Sequence, residues 1–154
     1  MVTLHYEKII HAPVQKVWDL LWNPETYPQW TKFFTNRNIK TDWEINGKTY
    51  FLDENGNGMV STIKSLNEPF EIVFSHLGVL KDGVEDLKSQ PLEEISGMEE
   101  KYFLRAVNDT TTELRAITHT MREYEEHLGE GFNKGFDILK NMAENSEKTT
   151  FEGD

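Results

Sequence analysis

Five histidines, no cysteine and a few strand-borne tyrosines and arginines set the range of chemistry open to this chain. His76 and His119 each end a strand-like run, so two imidazoles can sit near one rim. A lone strand-end histidine is more often a hydrogen-bonded or solvated side chain than a catalyst. Glu123 and His127 are four apart in a helical stretch, which puts both on one face and within reach of a common metal. No third ligand and no zinc-protease spacing accompany them, and Glu125, Glu126 and Glu130 make their surroundings an ordinary acidic face. No metal and no other cofactor is expected. Tyr102, Arg105 and His119 fall on paired strands and could orient a carbonyl group. Strand neighbours alternate faces, however, so Arg105 shares parity with Phe103 and points away from Tyr102, toward an outward salt bridge. The serines lie in no glycine-flanked elbow, and no glycine loop is shaped to cradle phosphate. No catalytic residue is assigned.

The elements that must position these groups begin with IIHAPVQKVWDLLWNPETYPQW, residues 9–30. A strand-like run meets Ala12-Pro13, and proline suits a first helical turn because its missing N–H would be unpaired there. Val14, Val17, Trp18 and Leu21 recur at i, i+3, i+4 and i+7, one apolar face of a short helix. Asn23-Pro24 repeats the device and opens a second short helix ending at Trp30. Period-two patterning follows. Residues 39–45 and 48–52 flank Asn46-Gly47, a strong hairpin signal, and strands are expected at 59–66, 70–77, 102–107 and 113–120. With residues 2–10 that makes about seven strands joined by short turns, hence an antiparallel sheet.

The exception is the acidic connection 80–97, which carries Gly83, Pro91 and Gly97. A link this long is either surface decoration or a functional cover. As a lid it would fold Val84, Leu87, Leu92 and Ile95 over an apolar opening and keep Asp82, Glu85, Asp86, Glu93 and Glu94 in water. From about 122 to 144, Tyr124, Leu128, Phe132, Phe136, Leu139 and Ala143 form the stripe of a helix buried on one side. Gly129, Gly131 and Gly135 interrupt that helix, each at a cost of about 1 kcal/mol relative to alanine, which calls for a packing reason. Residues 1–144 are read as one domain and 145–154 as a polar tail.

Composition bounds the function. The 154 residues carry a formal charge of −11, which disfavours nucleic acid and anionic membrane surfaces as partners. No run approaches a membrane span, and Glu7 and Lys8 interrupt any signal-peptide layout, so a soluble cytoplasmic protein is expected. Aromatics make up 12% of the chain, ample for lining a core or pocket.

Three stretches also carry a family resemblance. HAPVQKVWDLLWNPETYPQW resembles, in its Ala-Pro, Val-Trp and Pro-Trp elements, the opening of the family named after the C-terminal domain of the heat-shock-protein ATPase activator. GNGMVSTIKSLNEPFEIVFS is similar to that family's glycine-to-valine strand, proline turn and aromatic strand. GFNKGFDILKNM resembles its terminal helix, with Phe132 where the family has tryptophan. This Aha-type family belongs to the START-like, or SRPBCC, helix-grip superfamily. The resemblance covers roughly residues 3–144 and implies an α+β fold, a curved antiparallel sheet wrapped around a long C-terminal helix with an apolar cavity between them.

The expected function is binding of a small hydrophobic molecule, lipids included, in that cavity. The expected ligand-binding residues are Trp18, Trp30, Phe34, Trp43, Phe74, His76, Tyr102, Tyr124, Phe132 and Phe136. Two other readings stand beside it: a cyclase- or hydrolase-like enzyme on an aromatic or polyketide-like substrate, and a co-chaperone-like module with a protein partner. Homodimer formation is left open.

Overall fold

The computed structural model describes residues 1–88 and 95–152, with side chains of the last helix described as far as Asn145. Strand β1 (Val2–Ile10) leads through Pro13 into helix α1 (Val14–Trp22). Val17, Trp18 and Leu21 of the predicted stripe are buried, Val14 packs half-buried against them, and Trp22 joins the core. Asn23 closes α1, and its side chain accepts the Glu25 N–H at 2.8 Å, forming the corner that starts helix α2 (Tyr27–Trp30). The Trp30 indole N–H donates to the Leu21 carbonyl at 3.0 Å and ties α2 back onto α1.

Strands β2 (Asn38–Thr41), β3 (Lys48–Leu52), β4 (Gly58–Asn67), β5 (Glu71–Lys81), β6 (Val84–Asp86), β7 (Glu99–Asn108) and β8 (Thr111–Thr120) follow. They form one curved, wholly antiparallel sheet in the order β1-β8-β7-β5-β4-β3-β2, with β6 paired to β5. A short 3₁₀ turn (Arg122–Tyr124) precedes helix α3 (Glu125–Glu152), which crosses the inner face. This is the helix-grip arrangement.

Two differences from the sequence pattern have clear causes. The strand expected over 39–45 stops at Thr41, because Trp43 takes a left-handed conformation (φ 59°) that turns its ring edge-on to Trp22 at 6.1 Å. The 80–97 connection opens as a hairpin: Asp82 and Gly83 both have positive φ, the requirement of a two-residue type I′ turn, and β6 returns along β5. The backbone of α3 also continues to Glu152, through the segment read as a polar tail.

Gly131 and Gly135 of α3 have the packing reason their cost demands, whereas a Cβ on Gly129 would make only an ordinary contact with Tyr6. A Cβ on Gly135 would lie 2.5 Å from the Trp30 carbonyl oxygen, so the missing side chain is what lets α2 dock on α3. Gly135→Ala should therefore lower stability by about 1–3 kcal/mol despite alanine's better helix propensity. A thermal melt in which the variant matches or exceeds the parent would show that the contact is not tight.

Candidate ligand cavity

Three neighbouring strands turn matching positions inward. Phe74 on β5 stands opposite Glu100 on β7, and Glu100 stands opposite Thr118 on β8. Because side chains alternate along a strand, Tyr102 and Thr120 share this face. Trp30, Thr31 and Phe34 from α2 and its exit approach from one side, and Tyr124, His127 and Leu128 at the start of α3 from another. Between them lies a cavity of about 350 Å³. Phe51, Met59, Ile95 and Met98 complete a largely apolar wall.

A small set of polar groups breaks that wall. The Tyr102 hydroxyl donates to Glu100 Oε1 at 2.7 Å. Protein surrounds Glu100, and the surface it keeps faces the cavity. Burial pushes its carboxyl up to about 7, against the opposing pull of the Tyr102 hydrogen bond. The buried Tyr27 phenol is held well above its ordinary value by burial and by the nearby Glu100. His76 is lowered to about 4, first by burial and then by the proximity of His119, so its ring is neutral at physiological pH. Its Nδ1 lies 2.7 Å from the Ser61 hydroxyl. His119 Nδ1 accepts the Glu99 N–H at 3.1 Å, and His127 Nε2 lies 3.2 Å from the Thr35 hydroxyl.

Of the residues expected to bind a ligand, Trp30, Phe34, His76, Tyr102 and Tyr124 stand on the cavity wall. Trp18, Phe74, Phe132 and Phe136 are packed behind it in solid core. Phe132 stacks on Tyr6 at 4.6 Å, Phe136 lies 6.0 Å from Trp30, and Phe74 meets Phe51 edge-on at 5.0 Å. Trp18 meets Trp22 edge-on at 6.2 Å, and Trp43 sits part-exposed at the far end of the same indole cluster. Arg105 points outward into a two-pronged pairing with Glu113, at 3.2 and 3.4 Å. Glu123 belongs to the 3₁₀ turn and His127 to α3, so the two do not share one regular α-helix. Among the described residues no group of three or more His, Asp or Glu side chains gathers as a metal site.

The lid expected over 80–97 has a different geometry in its described part. Val84 is 67% exposed and Leu87 is also exposed, whereas Ile95 reaches the cavity wall. Leu92, Glu93 and Glu94 lie outside the described residues. Glu100 was not singled out by its sequence, because Glu99-Glu100-Lys101 reads as a solvated charge run. The available signal was parity: Glu100 is in step with Tyr102 and Leu104, both buried.

Residues 11–144 match the sequence profile described as activator of Hsp90 ATPase homolog 1-like protein. The chain belongs to this Aha-type family. The solved structures it resembles agree on the fold. A protein of Mesorhizobium loti superposes with a TM-score of 0.71 at 14% identity, covering 94% of this chain and 98% of that one. The Aha1 dimer of Colwellia psychrerythraea gives 0.68 at 18%, covering 93% and 96%. DynU16, from the dynemicin biosynthetic locus, gives 0.65 at 16%, covering 94% of this chain but 48% of its own. No curated protein matches the chain. Family membership is compatible with ligand-binding or cyclase-like roles, and no described helix is long and apolar enough to cross a membrane.

Proposed function

We propose that this Aha-type protein binds a small, largely apolar molecule in the space between its sheet and α3. The observation that carries this reading is the cavity itself: about 350 Å³, walled largely by apolar and aromatic surface, with Glu100, three histidines and several threonines set into it. Ligand sites typically enclose 300–1,000 Å³ and have this mixture of wall and anchor. Filling such a volume with protein would have been straightforward for a chain this rich in aromatics, yet five of the ten aromatic and histidine positions discussed above face the space and leave it open.

Titration with the neutral fluorophore N-phenyl-naphthylamine tests the reading. Enhancement should saturate at one probe per chain. Thr118→Phe, which places a ring into the cavity from the inner face of β8, should weaken binding by about tenfold or more, the loss expected when the ring displaces about two ligand carbons. Saturable binding unchanged in a folded Thr118→Phe variant would place the probe elsewhere. Native mass spectrometry of freshly purified protein gives the complementary readout, a defined added mass.

One observation favours an enzymatic variant of the same reading. Glu100, held near neutrality beside the Tyr102 hydroxyl, has the protonation range of a general acid or base. Such a pair would serve carbonyl or enol chemistry on a bound aromatic or polyketide-like substrate, and turnover by the parent but not by Glu100→Gln would support it.

A further inference from the structure

We infer that the preferred occupant of the cavity is a hydrophobic amine, its ammonium nitrogen against the free oxygen of Glu100 and its apolar body against Trp30, Phe34 and Met59. This rests on the reading of the space as a ligand cavity and names the ligand's chemical class.

The first ground is an unmatched carboxyl. Glu100 stands on the cavity wall; its Oε1 receives the Tyr102 hydroxyl, and no hydrogen bond to Oε2 comes from the described residues. No lysine or arginine is among the described residues of the wall. Lys64 and Lys101 bond to Glu99, the neighbour of opposite parity. A buried carboxyl is ordinarily paired or hydrogen-bonded through both oxygens. Glu100 is half-buried and keeps surface on the cavity side, so its second oxygen is open to a partner carried by the ligand.

The second ground is the sign of everything else around it. Of the three wall histidines, burial keeps the His76 ring neutral, His119 Nδ1 accepts the Glu99 N–H, and His127 Nε2 lies 3.2 Å from the Thr35 hydroxyl. The tyrosines Tyr27, Tyr102 and Tyr124 offer hydroxyls and aromatic faces. The chain as a whole carries a charge of −11. A carboxylate- or phosphate-bearing ligand would therefore enter a low-dielectric space beside an acid, with no lysine or arginine on the described wall to meet it. A neutral alcohol could satisfy Oε2 with one hydrogen bond. An ammonium ion makes a charge-assisted hydrogen bond to Glu100 and gains from the faces of the aromatic wall, so the order of affinity should be amine, then alcohol, then acid.

Three probes of one shape test this: naphthylmethylamine, naphthylmethanol and naphthoic acid, titrated calorimetrically near pH 8, where both Glu100 and the free acid are ionised. The amine should bind about tenfold or more tighter than the alcohol, and the acid weakest. In Glu100→Gln, which keeps an acceptor for Tyr102, the preference for amine over alcohol should fall below about threefold. Alcohol binding with no amine advantage, or tighter acid binding, overturns the amine assignment and leaves the cavity reading standing. Failure of all three probes and of N-phenyl-naphthylamine overturns both. The ligand ranking uses the parent protein alone, so the assignment remains decidable if the variant folds poorly.

Discussion

Phe132→Ala is expected to cost about 3–5 kcal/mol of folding stability, a large share of the roughly 5–15 kcal/mol that holds a domain of this size together. Phe132 is 1% exposed and sits where α3 crosses the sheet. It stacks on Tyr6 of β1 at 4.6 Å, receives Phe34 edge-on at 4.9 Å, and lies 5.7 Å from Phe136 and 6.4 Å from Tyr102. Removing the ring leaves a void bounded by other rigid rings that cannot collapse into it, the condition under which a cavity costs most. Tyr124, 52% exposed on the rim, offers the contrast. Tyr124→Ala should change stability by no more than about 0.5 kcal/mol, with its effect confined to probe binding. Urea denaturation distinguishes the two, and equal losses would contradict the division between solid core and cavity wall.

The second large effect is a pair of opposed pH dependences. Glu100 ionises near its ordinary 4.5 in the unfolded chain and at about 7 in the folded one. Between these values the folded state holds the extra proton, so this group's contribution falls as pH rises from 4.5 and levels off above about 7. His76 acts in the other direction. Its unfolded ring takes a proton below 6.5 and its buried ring only near 4, so stability is lost as pH falls through that window. At about 1.4 kcal/mol per pH unit, each span is worth about 3 kcal/mol. In the parent protein the two slopes largely offset one another between pH 4.5 and 6.5. Glu100→Gln should uncover a steep loss on acidification and a gain over the parent that grows to about 3 kcal/mol above pH 7. His76→Asn, which can keep a bond to Ser61, should uncover the reverse, a loss as pH rises. Denaturation curves across pH 4–8 check both signs, and variants that run parallel to the parent would mean that neither group is shifted.

Local order explains why so much of the fold was legible in the sequence. The α1 stripe, the α3 stripe from Leu128 to Ala143 and the alternating strands are all short-range patterns, set by the 3.6 and 2.0 periods of backbone that must bury one face. The Ala-Pro and Asn-Pro corners and the in-helix Gly131 and Gly135 were equally visible, since each answers to the conformation or crowding of a single residue. The Asp82-Gly83 turn carried a signal as strong as Asn46-Gly47, but the long acidic stretch after it masked the hairpin.

The cavity was decided elsewhere. Trp30 and Phe136 are both buried aromatics, yet one faces open space and the other fills the core, and nothing in their neighbours along the chain separates them. Which rings interlock and which stop short depends on how α2, α3 and three strands meet, with Gly135 setting the approach of α2 to α3. Glu100 shows the same division most sharply. The sequence by itself determined its parity with Tyr102 and Leu104, and so its face of β7. Only the tertiary structure decided that this face, at this position, looks into an apolar space with no lysine or arginine on its described wall, because charge pairing is settled by distances across elements far apart in the chain.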